Sequence, residues 1–149
     1  MNTGIDYRVD QASLDQICEH LQACEASFVP SLAARVDIRE YSGKICTQAK
    51  RFEAWTGGVL TGLVAMYCND SGGALAYITS VSVLPGLQGR GIASRLISNG
   101  IKHASGAGFA RIGLAVHRDS EAVIALYRKH GFLAVDSQGE MVNMALKLA

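Results

Sequence analysis

A glycine-rich turn between an apolar run and a helical pattern is the stretch of this sequence best suited to bind an anion. The apolar run at residues 81–83 leads into residues 88–93, Gln-Gly-Arg-Gly-Ile-Ala, and apolar residues recur at helical spacing from Ile92 onward. Backbone N–H groups at the start of a helix have no partner within the helix, and the helix dipole adds partial positive charge there. We therefore expect this turn to hold a pyrophosphate.

A second stretch places a tyrosine on a predicted helix after a buried strand. Residues 125–132 read Ala-Leu-Tyr-Arg-Lys-His-Gly-Phe, and they follow a predicted buried strand at residues 112–116 and a helix capped by Asp119 or Ser120. Without further context, a core tyrosine on an apolar helix face is the plainer interpretation of Tyr127.

Together the two stretches resemble the GNAT superfamily of N-acetyltransferases. Residues 88–93 resemble the Q/R-x-x-G-x-G/A acyl-CoA signature of that family, and residues 114–132 resemble its second signature, which ends in LY-x-x-x-GF. The two lie in the right order, with room for one helix and one strand between them. The resemblance is clear over residues 76–135 and looser before them.

The resemblance implies a mixed α/β sheet in one domain at residues 1–149, with elements in the order β-α-α-β-β-β-α-β-α-β-β. The fourth and fifth strands splay apart, and the pantetheine of acetyl-CoA, the implied co-substrate, pairs with the strand at residues 81–83. No metal ion is expected. The implied cofactor contacts are Val81, Ser82, Val83, Gln88, Gly89, Arg90, Gly91, Ile92, Ala93, Ser94, Ser120 and Tyr127. Ser120 stands where the family often has Asn.

Acyl transfer to an amine needs a neutral amine, a donor to the thioester oxygen and a proton for the leaving thiolate. The resemblance implies Tyr127 as the general acid. The base stays open, because Thr79 and Ser80 stand where many members of the family carry a carboxylate. The alternatives are a water relay held by Thr79, Ser80 or Tyr67, the carboxylate of Asp70, and the imidazole of His117. The predicted catalytic residues are Tyr127, Thr79, Ser80 and His117.

The acceptor is expected beside the segment before the sheet, because helices there flank the fourth strand in this family. The predicted acceptor-binding residues are Phe28, Arg35, Tyr67 and Asp70, in a pocket with Leu32, Tyr41, Trp55 and Arg39. Arginines suit an acceptor that carries a carboxylate or phosphate. We therefore expect a small-molecule primary amine of amino-acid or amino-sugar type.

Periodicity predicts the elements that carry these residues. A short strand at residues 5–9 precedes a helix capped by Asp10 or Ser13, and a second helix begins near Asp37. A hairpin through Gly57-Gly58, a turn at residues 69–73 and a strand at 74–83 form a meander. In that last strand, alternation places Tyr77, Thr79, Val81 and Val83 on one face and Ile78 on the other. A helix from about residue 90 to 106 and closing strands at 132–135 and 141–148 complete the chain.

Composition excludes several classes of protein. The net charge of +1 without a basic stripe argues against a nucleic-acid binder. The sequence has no run of about eighteen apolar residues, so no membrane span is expected. The first ten residues are polar, unlike a secretory signal. The four cysteines form no C-x-x-C pair. We therefore expect free thiols and a cytoplasmic protein. A homodimer is possible, but no feature of the sequence requires one. The competing functional hypothesis is a non-catalytic acyl-CoA or nucleotide-binding regulatory module.

Overall fold

The structure, a computed structural model, describes residues 4–70 and 72–148. Within these residues, one sheet has the strand order β1-β2-β3-β4-β5-β7-β6. Its strands are β1 Asp6–Val9, β2 Ala49–Thr56, β3 Val59–Tyr67, β4 Leu75–Val83, β5 Arg111–His117, β6 Leu133–Gln138 and β7 Met141–Lys147. The helices are α1 Leu14–Cys24, α2 Ile38–Gln48, α3 Ile92–Gly106 and α4 Glu121–Lys129, with short 3-10 turns at Glu25–Ser27 and Leu32–Ala34. The predicted class and element order are confirmed.

The meander of β2, β3 and β4 is antiparallel, as predicted. Gly57 and Gly58 make its first turn with φ angles of 56° and 81°, a conformation that glycine adopts without strain. The second predicted turn, at residues 69–73, includes Ser71, which lies outside the described residues. So do residues 1–3 and 149 of the predicted domain.

Local side-chain caps set the start of the first two helices. Ser13 and Gln16 form a capping box at α1, in which Ser13 Oγ accepts from the Gln16 N–H and Gln16 Oε1 accepts from the Ser13 N–H. Asp37 Oδ1 accepts from the Glu40 N–H at 2.9 Å and caps α2. Helix α3 begins at Ile92, about two residues later than predicted, because its N-cap Gly91 has a left-handed φ of 77°.

The sheet separates two hydrophobic cores. Leu96 of α3, Ile112 of β5 and Phe132 lie in one core, and Leu21 of α1 and Ile45 of α2 lie in the other. Each helical layer therefore covers its own face of the sheet. Over the ranges described, no helix combines the length and the apolar character that a membrane span requires.

A β-bulge in β4 changes which residues face each core. Ala65 of β3 lies opposite Ser80, whereas Met66 lies opposite Ile78, so Thr79 is the extra residue on β4. An extra residue disrupts the ladder locally and bends its strand. The bend falls directly before the strand segment that was expected to face the cofactor.

The predicted faces of β4 are wrong for this reason. Ile78 and Val83 lie in the same core, on the α3 side of the sheet. Ser82 instead bonds to His20 of α1 on the opposite side, with 2.8 Å between Ser82 Oγ and His20 Nε2. One inserted residue shifts the alternation by one position, which reverses the face of every side chain after it.

A buried carboxylate on β2 ties the start of α1 to the sheet. Glu53 has no exposed surface, and it accepts hydrogen bonds from the backbone N–H groups of Gln11 and Ala12, each at 3.0 Å. Trp55 Nε1 donates to the same carboxylate at 3.0 Å and Arg51 Nε donates at 3.3 Å. These bonds compensate the burial of a charge that would otherwise be costly.

The start of α3 lies directly against Gly62 of β3. A Cβ at Gly62 would lie 2.8 Å from Ile92 Cγ2 and 3.1 Å from Leu96 Cδ1. We expect Gly62→Ala to lower the free energy of unfolding by about 1–3 kcal/mol, because α3 must shift to make room. Urea unfolding measures this difference.

Gly100 provides the matched control within α3. A Cβ there meets its nearest atom, Cε2 of Phe52, at 3.5 Å, an ordinary contact. Gly100→Ala should therefore stabilise the protein by about 0.5–1 kcal/mol through helix propensity. Equal destabilisation by both substitutions would contradict the steric explanation.

Candidate functional site

A gap opens between β4 and β5 beyond the bulge. The two parallel strands pair only over Leu75, Ala76 and Tyr77 of β4, opposite residues 111–113 of β5. From there the strands separate, as the resemblance implied. A strand that loses its neighbour in this way keeps backbone N–H and C=O groups that seek partners.

Backbone groups of residues 81 and 83 face this gap. The Leu84 N–H donates to the Thr61 carbonyl of β3 at 2.9 Å, and successive residues of a strand direct their backbone groups to opposite sides. Val81 and Val83 therefore face away from β3 and toward β5. The Gln88 side chain already donates to the Val83 carbonyl at 3.3 Å. This edge can pair with an amide-bearing ligand, as a sheet edge pairs with an added strand.

The turn after β4 presents the free N–H groups of α3. Gly89 and Gly91 adopt φ angles of 81° and 77°, and no side chain caps the helix. The first amides of α3 therefore stay available to an anion. A side chain at either glycine would be strained, because L-residues rarely adopt these angles.

A cleft of ≈ 590 Å³ covers both the strand edge and the turn. All the predicted cofactor contacts from Val81 to Ser94 line it, except Arg90. Ser120 and Tyr127 line an adjoining smaller cavity instead. The structure therefore brings together nearly the whole predicted cofactor set.

Helix α4 forms the far wall of the cleft, and it supplies a cation that the sequence analysis missed. Leu126 and Lys129 line this wall, and their three-residue spacing, which places both on one helix face, was the available signal. Ser94 Oγ lies 2.9 Å from His130 Nε2, which joins α4 to the start of α3. Burial, together with the nearby charge of Lys129, lowers the pKa of His130. Arg95 is turned away and stacks on the Tyr7 ring at 4.8 Å.

The adjoining cavity has a volume of ≈ 100 Å³ and contains the predicted catalytic residues. Thr79, Ser80, His117 and Tyr127 all line it. It shares four lining residues with the larger cleft, namely Ser27, Phe28, Val81 and Val123. The two cavities therefore form one continuous track that ends at Tyr127. It begins at the glycine-rich turn of residues 88–91, which is called the anion turn below.

Tyr127 is buried, with 6% of its surface exposed, and its ring packs on Phe132 at a centroid distance of 5.7 Å. Burial raises the pKa of Tyr127, with a smaller contribution from Tyr77. Its hydroxyl has no hydrogen-bond partner in the part of the chain that the structure describes. A protonated, unpaired hydroxyl in the cavity wall is suited to donate a proton.

His117 is placed in the cavity but is bound through both ring nitrogens. Nδ1 accepts from the Asp119 N–H at 3.1 Å, so Nε2 carries the proton and donates to Glu140 at 2.9 Å. The hydrogen bond from His117 is the main cause that lowers the pKa of Glu140. As a base, this imidazole would first have to break the bond at Nδ1.

The side chains of Ser120 and Asp70 have no catalytic partner within residues 4–70 and 72–148. Ser120 occupies the N-cap position of α4, but its side chain makes no capping bond. Asp70 accepts from the N–H groups of Gly72 and Leu75, which lowers the pKa of its carboxyl. Asp70 lines neither cavity.

The predicted acceptor side is brought to the cavity in part. Phe28 and Arg35 line it, whereas Tyr67 and Tyr41 line neither cavity. Arg39 is exposed and pairs with Asp15 at 3.0 Å instead. Trp55 and Leu32 lie buried in the core beneath α1 and α2.

Four hydroxyl groups gather where β4 bends, and one of them belongs to Tyr41, which was predicted to lie in the acceptor pocket. Tyr41 Oη lies 2.8 Å from the Thr79 carbonyl and 2.7 Å from Thr79 Oγ1. Tyr67 Oη and Ser80 Oγ are buried without a partner among the described residues, and both groups are close enough to affect the pKa of Tyr41. No group of three or more His, Cys, Asp or Glu residues in those ranges is arranged to hold a metal ion.

Comparison with known proteins identifies the family to which this sequence is similar. Residues 14–132 match the acetyltransferase (GNAT) family. A stretch of 64 residues is 39% identical to mycothiol acetyltransferase from Paenarthrobacter aurescens (strain TC1). That stretch covers 43% of this chain and 20% of the relative, so the chain spans about a fifth of the relative's length.

Solved structures share the fold over nearly the whole chain. The PaiA N-acetyltransferase from Thermoplasma acidophilum, in complex with coenzyme A, has a TM-score of 0.77 at 19% identity and covers 99% of both chains. The ribosomal-protein-S18-alanine N-acetyltransferase from Escherichia coli has a TM-score of 0.76 at 16% identity, over 97% of this chain and 95% of that one. Aminoglycoside 6'-acetyltransferase type Ii has a TM-score of 0.77 at 15% identity, over 97% of each chain.

Proposed function

Because the chain belongs to the GNAT family of acetyltransferases, we propose that it transfers an acetyl group from acetyl-CoA directly to the primary amine of a small molecule. The observation that carries this proposal is the continuous track, in which a strand edge and an anion turn lead to the free hydroxyl of Tyr127. The acceptor is of amino-acid or amino-sugar type.

Acetyl-CoA fits this track in one direction. Its pyrophosphate would bind the amides of residues 89–94, with Lys129 on the opposite wall and Arg90 as added charge at the turn. Its pantetheine would pair with the backbone of residues 81–83, and Gln88 closes that end through its bond to the Val83 carbonyl. The thioester would then lie near Tyr127 and Ser120.

The transfer needs no covalent intermediate on the protein. The amine lone pair attacks the thioester carbon, and the oxygen gains negative charge that a backbone N–H of residues 81–83 can stabilise. The C–S bond then breaks, and Tyr127 donates its proton to the leaving thiolate. The phenolate regains a proton from solvent before the next turnover.

The proton of the acceptor leaves by way of water held at Thr79 and Ser80. Both side chains line the cavity, and neither can act as a base alone. His117 is already bound at both nitrogens, and Asp70 lies outside both cavities. The relay is therefore the route that we propose among the three alternatives.

The charge of the cavity supports an acidic acceptor. Among the described residues that line it, Arg35 is a cation without a carboxylate partner, and none is Asp or Glu. A carboxylate or phosphate on the acceptor would give Arg35 that partner. Arg39 is not available in the same way, because it pairs with Asp15.

Arg35→Gln should raise the KM for the acceptor by about tenfold, the loss of one charge-assisted hydrogen bond. The kcat should change little, because this contact is equal in the ground and transition states. Arg39→Gln is the matched control and should leave both constants unchanged. Steady-state kinetics at saturating acetyl-CoA measures this, and equal constants for Arg35→Gln and wild type would exclude Arg35 from acceptor binding.

The test of the function has two stages. Calorimetry with acetyl-CoA measures binding, and thiol release over a panel of α-amino acids and hexosamine phosphates then measures transfer. Binding followed by release with at least one amine supports the proposal. Binding without release from any amine would favour a non-catalytic acyl-CoA-binding regulatory module. The absence of a carboxylate at Thr79 and Ser80 of β4 is consistent with that alternative.

A further inference from the structure

We propose that the hydroxyl cluster, defined as Tyr41, Tyr67, Thr79 and Ser80, binds the acceptor amine in its neutral form and carries away its proton. This inference rests on the function proposed above. It extends that function to two tyrosines from outside the cofactor track, on α2 and β3. Its observations are two buried hydroxyls without partners, a bonded pair beside them, and the charge around all four.

Two oxygens of the cluster are buried and unpaired. Tyr67 Oη and Ser80 Oγ are shielded from solvent and make no hydrogen bond within the described ranges. Ser80 is only 4% exposed and lines the cavity that contains Tyr127. Buried hydroxyls in native proteins nearly always have a partner, and the exceptions mark functional sites or bound molecules. Ser80 Oγ, in the cavity wall, is therefore favoured as a contact for the ligand, and Tyr67 Oη, which lines neither cavity, as the next member of the relay.

The bonded pair orients the remaining two hydroxyls. The Thr79 carbonyl can only accept, so Tyr41 donates to it at 2.8 Å. The Thr79 hydroxyl is then the donor in its 2.7 Å contact with Tyr41 Oη. This assignment leaves lone pairs of Thr79 Oγ1 free to accept from an N–H group. It also pairs the carbonyl of the bulge residue, which holds Ser80 in place.

The charges around the cluster favour a neutral amine over an ammonium ion. Lys44 Nζ lies 5.3 Å from the centroid of the Tyr67 ring. Arg35 is close enough to affect the pKa of Tyr41, as are Tyr67 and Ser80. A cation nearby lowers the pKa of an ammonium group, and the cavity lining contributes no carboxylate to offset it. The amine therefore loses its first proton more readily on entering.

The two phenols act as relays and not as bases. Burial raises the pKa of both Tyr41 and Tyr67, so both stay protonated at neutral pH. During transfer, the second amine proton passes to Ser80 Oγ as the proton of Ser80 moves on to a water molecule that Tyr67 Oη also contacts. At Ser80 one N–H bond breaks and one O–H bond forms. Each later step breaks one O–H bond and forms another, so the proton reaches solvent with no net charge left on the protein.

Removing an unpaired hydroxyl tests the proposed amine site, because the variant should be more stable than the wild type and yet less active. Ser80→Ala and Tyr67→Phe should each raise Tm by about 2–4 °C, because each deletes a buried group without a partner. The same variants should lower kcat/KM for the acceptor by about 100-fold and leave the Kd for acetyl-CoA unchanged. Ser42→Ala is the control, because Ser42 Oγ is paired with the Ile38 carbonyl at 2.7 Å. It should lower Tm or leave it unchanged, with full activity.

Methylamine separates this inference from the proposed function. At alkaline pH, excess methylamine should raise the Tm of the wild type but not that of Ser80→Ala. If the wild type acetylates no amine but methylamine still raises its Tm, the proposed function is refuted and the amine site is supported. A lower Tm in both hydroxyl variants, unchanged kcat/KM, or no methylamine shift in the wild type would each overturn the inference.

Discussion

Tyr127→Phe is expected to lower kcat by about 10²- to 10⁴-fold while the Kd for acetyl-CoA stays at its wild-type value. The hydroxyl is the one group that the substitution removes. Its ring keeps its contact with Phe132, so the cavity wall and the cleft keep their shape. Stability should not fall, because the lost hydroxyl has no hydrogen-bond partner among the described residues.

The environment of Tyr127 explains why loss of its hydroxyl should lower kcat so strongly. Burial raises the pKa of this phenol above the ordinary value of about 10, so the acid form persists in alkaline solution. Because a raised pKa keeps the proton in place, the wild-type rate should show no loss from this group between about pH 8 and 10.

Tyr77→Phe is the matched control for this prediction. Tyr77 lies close enough to raise the pKa of Tyr127, yet it lines neither cavity and is partly exposed. Stopped-flow release of the CoA thiol should be slow only in the Tyr127 variant. Equal turnover in Tyr127→Phe and wild type would remove Tyr127 from the mechanism and leave solvent as the proton source.

The parts of the fold that depend on neighbouring residues were predictable from the sequence. Ser13 and Asp37 cap their helices because a capping side chain reaches only a few residues along the chain. Gly57-Gly58 makes a tight turn for the same local reason. The turn at Gly91 that opens α3 was also predictable, because the glycine, the strand before it and the helix after it are contiguous.

The parts that depend on distant partners were not predictable. The bulge at Thr79 leaves no signal in an alternating pattern, yet it reverses the faces of the residues after it. Tyr41 reads as an apolar liner until α2 brings its hydroxyl to a strand 38 residues away. Arg35 and Arg39 look equivalent in the sequence, and only the position of Asp15 distinguishes them. The acceptor half of the site is therefore where sequence reasoning stopped.

Arg51→Met is expected to lower the free energy of unfolding by about 3–5 kcal/mol, the largest effect on stability that we foresee. Arg51 lies against Glu53, whose side chain is completely buried. Methionine keeps much of the packing volume but leaves the carboxylate without its counter-charge. Arg51 also donates to the carbonyls of Ala12 and Cys46, so the substitution strands two further acceptors.

Arg39→Met makes the same chemical change at an exposed pair, where 65% of the arginine side chain and 73% of its Asp15 partner are solvent-accessible. That variant should lose no more than about 1 kcal/mol. Urea unfolding followed by Trp55 fluorescence measures both, since Trp55 is the single tryptophan of the chain and donates to Glu53. Similar losses in the two variants would contradict the buried-charge explanation.

The double variant Arg51→Met with Glu53→Gln separates the stranded charge from lost packing. If the charge dominates, the neutral amide should recover part of the loss, and the double variant should be more stable than Arg51→Met alone. If packing dominates, the second substitution should only add to the loss. Because Arg51 and Glu53 bind the segments that begin α1 and end α2, a loosened pair should disturb Tyr41 on α2 before it reaches the anion turn of α3. Acceptor KM should therefore rise in Arg51→Met at a temperature where acetyl-CoA still binds normally.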